Sequence, residues 1–152
     1  HTVIEEYEPH NYMIILFPNE TVMDFYPRFS FRLTNDTLYS IKTKCSGEAF
    51  DKFRKLDIKE SAGRRIIEQA VKTKIPLSER MDVRANHAIC LWHCLNSFQD
   101  DIYIADSGLC VVIYKMSGDR IDLYDVITPF KILIGDILPA LSGGEEKCVG
   151  LG

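Results

Sequence analysis

The chain has no long apolar run, no dense block of basic residues and no regular cysteine framework, and each absence removes a class of function. A membrane-spanning helix needs roughly 20 consecutive apolar residues, far more than any stretch here supplies, so no membrane partner is expected. Lysine and arginine total 18 against 22 acidic residues, for a net charge of −4. They are dispersed, so neither a nucleic-acid partner nor a membrane-surface role has electrostatic support. Five cysteines, odd in number and without framework spacing, point to reduced thiols and a cytoplasmic setting. No secretory segment is visible, and the chain opens on His1 rather than Met, as a tag remnant or an excised fragment would. What is present reads as globular: 46% hydrophobic against 26% charged disfavours disorder, and 152 residues suit a domain of ordinary size.

Near the N-terminus, Tyr12-Met13-Ile14-Ile15-Leu16-Phe17 is a continuous apolar run, the pattern of a strand buried on both faces as in a mainly parallel sheet. Pro18 and Asn19 end it. Val22, Phe25 and Tyr26 then recur at helical spacing, which predicts a short helix from Glu20 with an acidic residue near its positive end. Pro27 stops that helix, leaving Tyr26 near its end. Phe29, Phe31 and Leu33 alternate with Ser30, Arg32 and Thr34. After Asn35-Asp36, Leu38, Ser40 and Lys42 alternate with Tyr39, Ile41 and Thr43, so the two arms predict a hairpin.

Asn19, Val22, Phe25, Tyr26, Ser30 and Phe31, behind the strand Tyr12–Phe17, resemble the end of a GNAT-superfamily N-acetyltransferase. That pattern runs Asn, an apolar helical face, apolar-Tyr, and four residues later Gly-Phe; here Ser30 replaces the glycine. The resemblance implies transfer of an acetyl or related acyl group from acetyl-CoA, as co-substrate, to a small-molecule or peptide amine. Asn19 would hydrogen-bond the pantetheine arm, and Tyr26 would donate a proton to the departing thiolate. A phenol of pKa about 10 stays protonated at neutral pH beside a thiol near 8.5 and can serve as that acid. Taken singly, each residue also has a bland reading: Asn19 as a helix cap, Tyr26 as a residue closing a core with its hydroxyl at the surface. The superfamily's pyrophosphate loop has no counterpart before Tyr12, where Val3–Tyr7 reads as the tail of the helix that would come after it. Residues 1–45 therefore resemble the C-terminal half of a GNAT domain.

Residues 46–152 read as a second, partial unit. Ala49-Phe50, Phe53 and Leu56 fit a helix, and Phe53 to Ile58 fits a short strand equally well. Ser61 to Lys74 places Ile66, Ile67, Ala70 and Val71 opposite Arg64, Arg65, Glu68 and Lys72, which predicts an amphipathic helix. Ser78, with Glu79 and Asp82 close behind, offers the start of another, whose face of Met81, Ala85, Ala88, Ile89, Trp92, Leu95 and Phe98 predicts deep burial. Ile102 to Ala105, Leu109 to Met116 and Ile121 to Ile127, separated by Asp106-Ser107-Gly108 and Ser117-Gly118-Asp119, form an antiparallel meander. A helix after Pro129, closed by Gly143-Gly144, leads to a strand over Lys147 to Leu151. Helices, meander, helix and strand keep the order of the first half of a GNAT domain. Leu123-Tyr124-Asp125-Val126-Ile127 also resembles a segment of tandem bacterial acetyltransferase-like proteins.

Where a pyrophosphate loop would lie, over Phe130 to Leu138, only Gly135 is present, and Asp136 repels phosphate with Lys131 as slight compensation. This half therefore resembles a degenerate copy. The fold class expected is α/β (α+β): a GNAT-like mixed, largely antiparallel sheet flanked by helices. The alternative to an acyltransferase is a non-catalytic binding or scaffolding domain on a decayed fold of that kind. His87, Cys90 and Cys94 share a helix face and Cys110 could join them at zinc, but cysteine is a small core residue and no metal is expected. His93 faces away from both helix cysteines, which disfavours a nucleophile pair. Arg64 and Arg65 serve as a solvated face or, with Ser61, as an anion contact. A homodimer stays open.

Overall fold

The computed structural model describes residues 3–7, 9, 13–35, 39–44, 51–79, 82, 87–143 and 145–151. Backbone contacts divide the chain into two compact units, His1–Thr37 and Leu38–Gly152. Among the described residues no helix is long and apolar enough to cross a membrane.

The smaller unit departs from what its sequence predicts. Tyr12 lies outside the described residues, and Met13–Phe17 forms no strand. All its side chains but that of half-buried Leu16 are open to solvent, with Met13 73% and Phe17 83% exposed. A strand needs a neighbour to take its N–H and C=O groups, and no other described segment of this unit is a strand. The predicted helix breaks into two 3-10 turns, Glu20–Val22 and Tyr26–Phe29. Pro27 supplies the reason: inside an α-helix its ring would strike the carbonyl of Met23, whereas near the start of a new turn its missing N–H is not needed. Hydrogen bonds spanning three residues carry the chain onward, from Val22 N–H to Asn19 C=O (3.0 Å), Phe25 to Val22 (3.1 Å) and Arg28 to Phe25 (3.3 Å).

The predicted hairpin does not form either. Phe31–Asn35 has no regular structure, and residues 36–38 lie outside the described set. The second arm, β1 (Tyr39–Lys44), is instead the edge of a six-stranded sheet in the larger unit. An isolated two-stranded ribbon is marginal in water, while an edge place on a large sheet gives β1 a full ladder.

That sheet runs in the order β1-β6-β5-β4-β3-β2. Its strands are β2 (Phe53–Lys55), β3 (Ile102–Ala105), β4 (Val111–Ser117), β5 (Arg120–Ile127) and β6 (Glu146–Leu151). The helices are α1 (Val3–Tyr7) in the smaller unit and α2 (Ser61–Thr73), α3 (His87–Asn96) and α4 (Ile134–Ser142) in the larger. Only β5 and β6 pair in parallel, joined by a crossover through α4; the other neighbours are antiparallel. The fold is thus mixed α+β with a mostly antiparallel sheet. The open choice over Phe53–Ile58 resolves as strand for Phe53–Lys55 alone, while Leu56–Ile58 is irregular and Ala49 and Phe50 lie outside the described residues.

The predicted meander forms where its turn residues place it. Ser117 pairs with Arg120 across Gly118-Asp119, and Gly118 adopts φ 62°, the left-handed conformation that a two-residue hairpin loop demands. The sheet is covered on both faces. Ile137, Leu138 and Leu141 of α4 pack against Val112, Ile121, Leu123, Val126 and Val149. Ile67 and Val71 of α2 and Cys90 and Cys94 of α3 pack on the other face with Ile102, Ile104, Val111, Ile113 and Ile127. Two buried faces explain why the central strands read as unbroken apolar runs. Burying each such aliphatic side chain contributes about 1.5–3 kcal/mol.

α2 buries Ile67 and Val71 of the face its periodicity predicts, together with Gly63, while Ile66 and Ala70 are half-buried. Gly63 is there because a side chain cannot be: a Cβ would lie 1.9 Å from the Asp57 carbonyl oxygen. α3 corrects its prediction. Met81 and Ala85 lie outside the described residues, Ser78 begins no helix, and the helix buries only Cys90 and Cys94 while Ile89 and Trp92 are 63% and 58% exposed.

β5 carries one irregularity. Ile113 faces Asp125 but Tyr114 faces Leu123, so Tyr124 is an extra residue, a bulge. A bulge shifts the side-chain alternation by one and turns the later residues of its strand to the opposite face. Ile121 and Leu123 before it and Val126 after it lie in the α4 core, while Ile127 lies in the opposite one. Asp125 consequently turns toward α2 and α3.

Candidate functional site

Two places carry the residues with chemistry. The first is in the smaller unit. Asn19 is extended (φ −67°, ψ 144°) and its side-chain oxygen accepts from the Thr21 N–H at 3.3 Å, so it caps the first 3-10 turn. Tyr26 opens the second turn, half-buried, with its ring edge-on to Phe25 (centroids 5.4 Å, 85°) and to Phe31 (6.0 Å, 79°). Ser30 ends that turn with φ 67° and ψ 12°, and its N–H donates to the Pro27 carbonyl. It is the only residue besides glycine with positive φ among those described. A left-handed serine is uncommon, and at this point of a chain reversal glycine is the residue that fits without strain.

The second place lies beneath the β5 bulge, and sequence reasoning missed it. Lys74, just past α2, holds the Asp125 carboxylate through both oxygens at 2.8 and 2.9 Å. The two side chains are only 12% and 27% exposed. The Val126 N–H donates to the same carboxylate at 2.8 Å, and the Cys90 thiol approaches it at 3.9 Å. Cys94 is wholly buried one helical turn from Cys90. Hydrogen bonding with the Cys94 thiol lowers the pKa of the Cys90 thiol against the opposing effects of burial and of Asp125. Cys94 itself is pushed up, first by that same hydrogen bond and then by burial. The detectable signal was an aspartate inside the apolar run Leu123–Ile127, since a charge in a buried strand needs a counter-charge.

The remaining candidates do not converge. Cys110 packs in the α4 core, across the sheet from Cys90 and Cys94, and His87 is exposed, so the four residues considered for zinc are not brought together. Among the described residues no three potential ligands are placed to hold a metal. Burial, with the Asp51 carboxylate second, raises the Cys110 thiol to about 11. At the start of α4 no side chain caps the helix, Asp136 sits in the first turn, and Lys131 lies 3.5 Å from Glu79. That helix end offers an anion little. Arg64 is structural: its Nε donates to the Ile58 carbonyl at 3.0 Å and ties down the segment before α2. His93, exposed, stays apart from the cysteine pair. No family model, no curated protein and no solved structure matches the chain.

Proposed function

We propose that the chain is the C-terminal region of an acyl-CoA-dependent N-acetyltransferase of the GNAT type, acting on a small-molecule or peptide amine. The observation that carries the reading is the left-handed backbone at Ser30, four residues after Tyr26. The pattern this segment resembles has glycine there, and Ser30 adopts a backbone conformation that glycine takes without strain. The larger unit supports the reading through its order of elements, two helices, a bulged meander and a crossover to a parallel strand. It acts as a supporting copy without a cofactor of its own, in keeping with the uncapped, acidic start of α4.

In this mechanism the amine nitrogen attacks the thioester carbonyl, the C–N bond forms, the C–S bond breaks, and the thiolate takes the Tyr26 phenol proton. The nitrogen's own proton leaves to a base, a role to which no residue of this chain is assigned. Asn19 is exposed and releases one hydrogen bond, from Thr21 N–H, to meet the pantetheine arm. In the longer protein that this reading implies, Tyr26→Phe lowers kcat for acyl transfer by roughly 10²-fold, the lower end of general acid catalysis, with CoA affinity nearly unchanged. An unaltered kcat removes Tyr26 from the mechanism.

A second reading, a non-catalytic scaffold, is favoured by a different observation: Met13, Ile15 and Phe17 are open to solvent, as on a surface that receives a partner. It predicts that acyl-CoA binds neither this chain nor a longer protein that contains it.

A further inference from the structure

One side of α2 faces open space. Between it, the β3–β4 turn and the end of β5 runs a groove of about 400 Å³, within the range of about 300–1,000 Å³ typical of small-molecule sites. Ile66 and Ala70 of α2, with Leu109 and Ile127, make most of it apolar. Leu109 is 55% exposed at its mouth. Arg65 and Gln69, four residues apart and hence on one face of the helix, line the rim. Thr73 lines it too, but its hydroxyl is spent on the Gln69 and Ala70 carbonyls.

The charges along α2 set Arg65 apart. Arg64 binds the Ile58 carbonyl, Lys72 pairs with Glu68 at 2.9 Å, and Lys74 pairs with Asp125. The Arg65 guanidinium has neither a hydrogen bond nor an ion pair with any described residue, and no acidic residue lines the groove. The groove therefore presents one unspent planar cation, one amide beside it, and an apolar floor. That combination accepts a single anionic head with a hydrocarbon body. From Arg65 to Thr73 the floor runs along eight residue steps of α2, about 12 Å at 1.5 Å per residue, comparable to an extended eight-carbon acid.

We propose that this groove is a binding site for a small amphipathic carboxylate, with Arg65 and Gln69 holding the head and the chain lying along Ile66, Ala70 and Leu109. The assignment does not rest on the acyl-transfer reading, since the groove belongs wholly to the larger unit.

Titration of the isotope-labelled chain with octanoate, monitored by amide NMR shifts, tests it. The expected result is saturable shifts confined to α2 and Gly108–Val111 with a Kd on the order of 0.1–1 mM, the affinity that about ten heavy atoms in a shallow site provide. Octanamide, which lacks the charge, binds roughly tenfold more weakly, and acetate, which lacks the tail, does not saturate. Arg65→Ala weakens octanoate by a similar factor. Leu109→Asp places a like charge at an exposed position that leaves the fold intact, and it abolishes binding. Equal affinity for octanoate and octanamide, or unchanged affinity in both variants, overturns the proposal. So does a set of shifts in the same residues that grows with protein concentration and needs no octanoate, which would make the groove a contact between copies of the chain.

Discussion

Asp125→Ala should be among the most damaging changes of a polar residue in the larger unit. The Lys74 ammonium, 12% exposed, is satisfied by both Asp125 oxygens at 2.8 and 2.9 Å, and the substitution leaves that cation in place without its acceptor. Breaking a fully buried pair from one side costs about 3–5 kcal/mol and an exposed pair is worth about 0–1. With Asp125 at 27% exposure, the expected loss is about 2–3 kcal/mol. At a urea slope of about 2 kcal/mol/M the unfolding midpoint falls by about 1 M or slightly more. Trp92, the single tryptophan, sits on α3 in the layer that Lys74 and Asp125 face, so its fluorescence reports on the larger unit alone. Lys74→Met should cost less, about 1 kcal/mol, because the carboxylate keeps the Val126 N–H and, at 27% exposure, access to water. The double variant should be more stable than the sum of the two losses by about 1 kcal/mol or more. An Asp125→Ala midpoint within about 0.5 kcal/mol of the parent would mean the pair is screened like a surface pair, and the reasoning from its burial would be wrong.

Gly63→Ala drives a methyl group to 1.9 Å from the Asp57 carbonyl oxygen, so the segment before α2 has to move. The loss is about 3 kcal/mol, seen as a fall in Tm of roughly 6–12 °C, and an unchanged Tm refutes the close-approach argument. Alkaline pH should destabilise the larger unit through Cys110, whose thiol is raised to about 11 from an unfolded value near 8.5. The folded state holds that proton longer, so this contribution is whole below about pH 8.5 and is lost as pH rises through about 11. Urea midpoints measured from pH 7 upward should fall across that window and fall less in Cys110→Ala; equal slopes would remove Cys110 as the cause. Tyr114, raised mainly by burial to about 12, extends the same trend at higher pH.

The larger unit was legible because its signals were local. Gly118-Asp119 and the periodicity of Ile67 and Val71 act over a few residues, and the structure obeys them. Pro139 inside α4 is the exception, a residue that should break a helix interior, yet Leu138 and Leu141 on either side are buried and the helix continues. What stayed hidden was long-range. Lys74 and Asp125 are 51 positions apart, and Asp125 reaches α2 only because the extra residue at Tyr124 reverses the alternation, which no spacing rule foretells. The partner of β1 was hidden for the same reason: its alternation with Phe29–Leu33 looked like a hairpin, but β6, more than a hundred positions away, offered the ladder. In the smaller unit the conformation differs from the one the sequence predicts. Pro27 turned one expected helix into two 3-10 turns, and a run of apolar residues without a neighbouring strand gave no strand at all. Asn19, Tyr26 and Ser30 nonetheless fall in the succession of cap, turn and left-handed reversal.

Acyl-CoA binding is the claim on which the proposed function stands, and calorimetric titration with acetyl-CoA measures it directly. It should be run on this chain and on a longer protein that adds the strand-to-helix loop expected ahead of Val3. The acyltransferase reading predicts no measurable binding by the chain, saturable binding by the longer protein, and a clear weakening of the latter in Asn19→Ala. Absence of binding in both proteins would contradict it and leave the scaffold as the function.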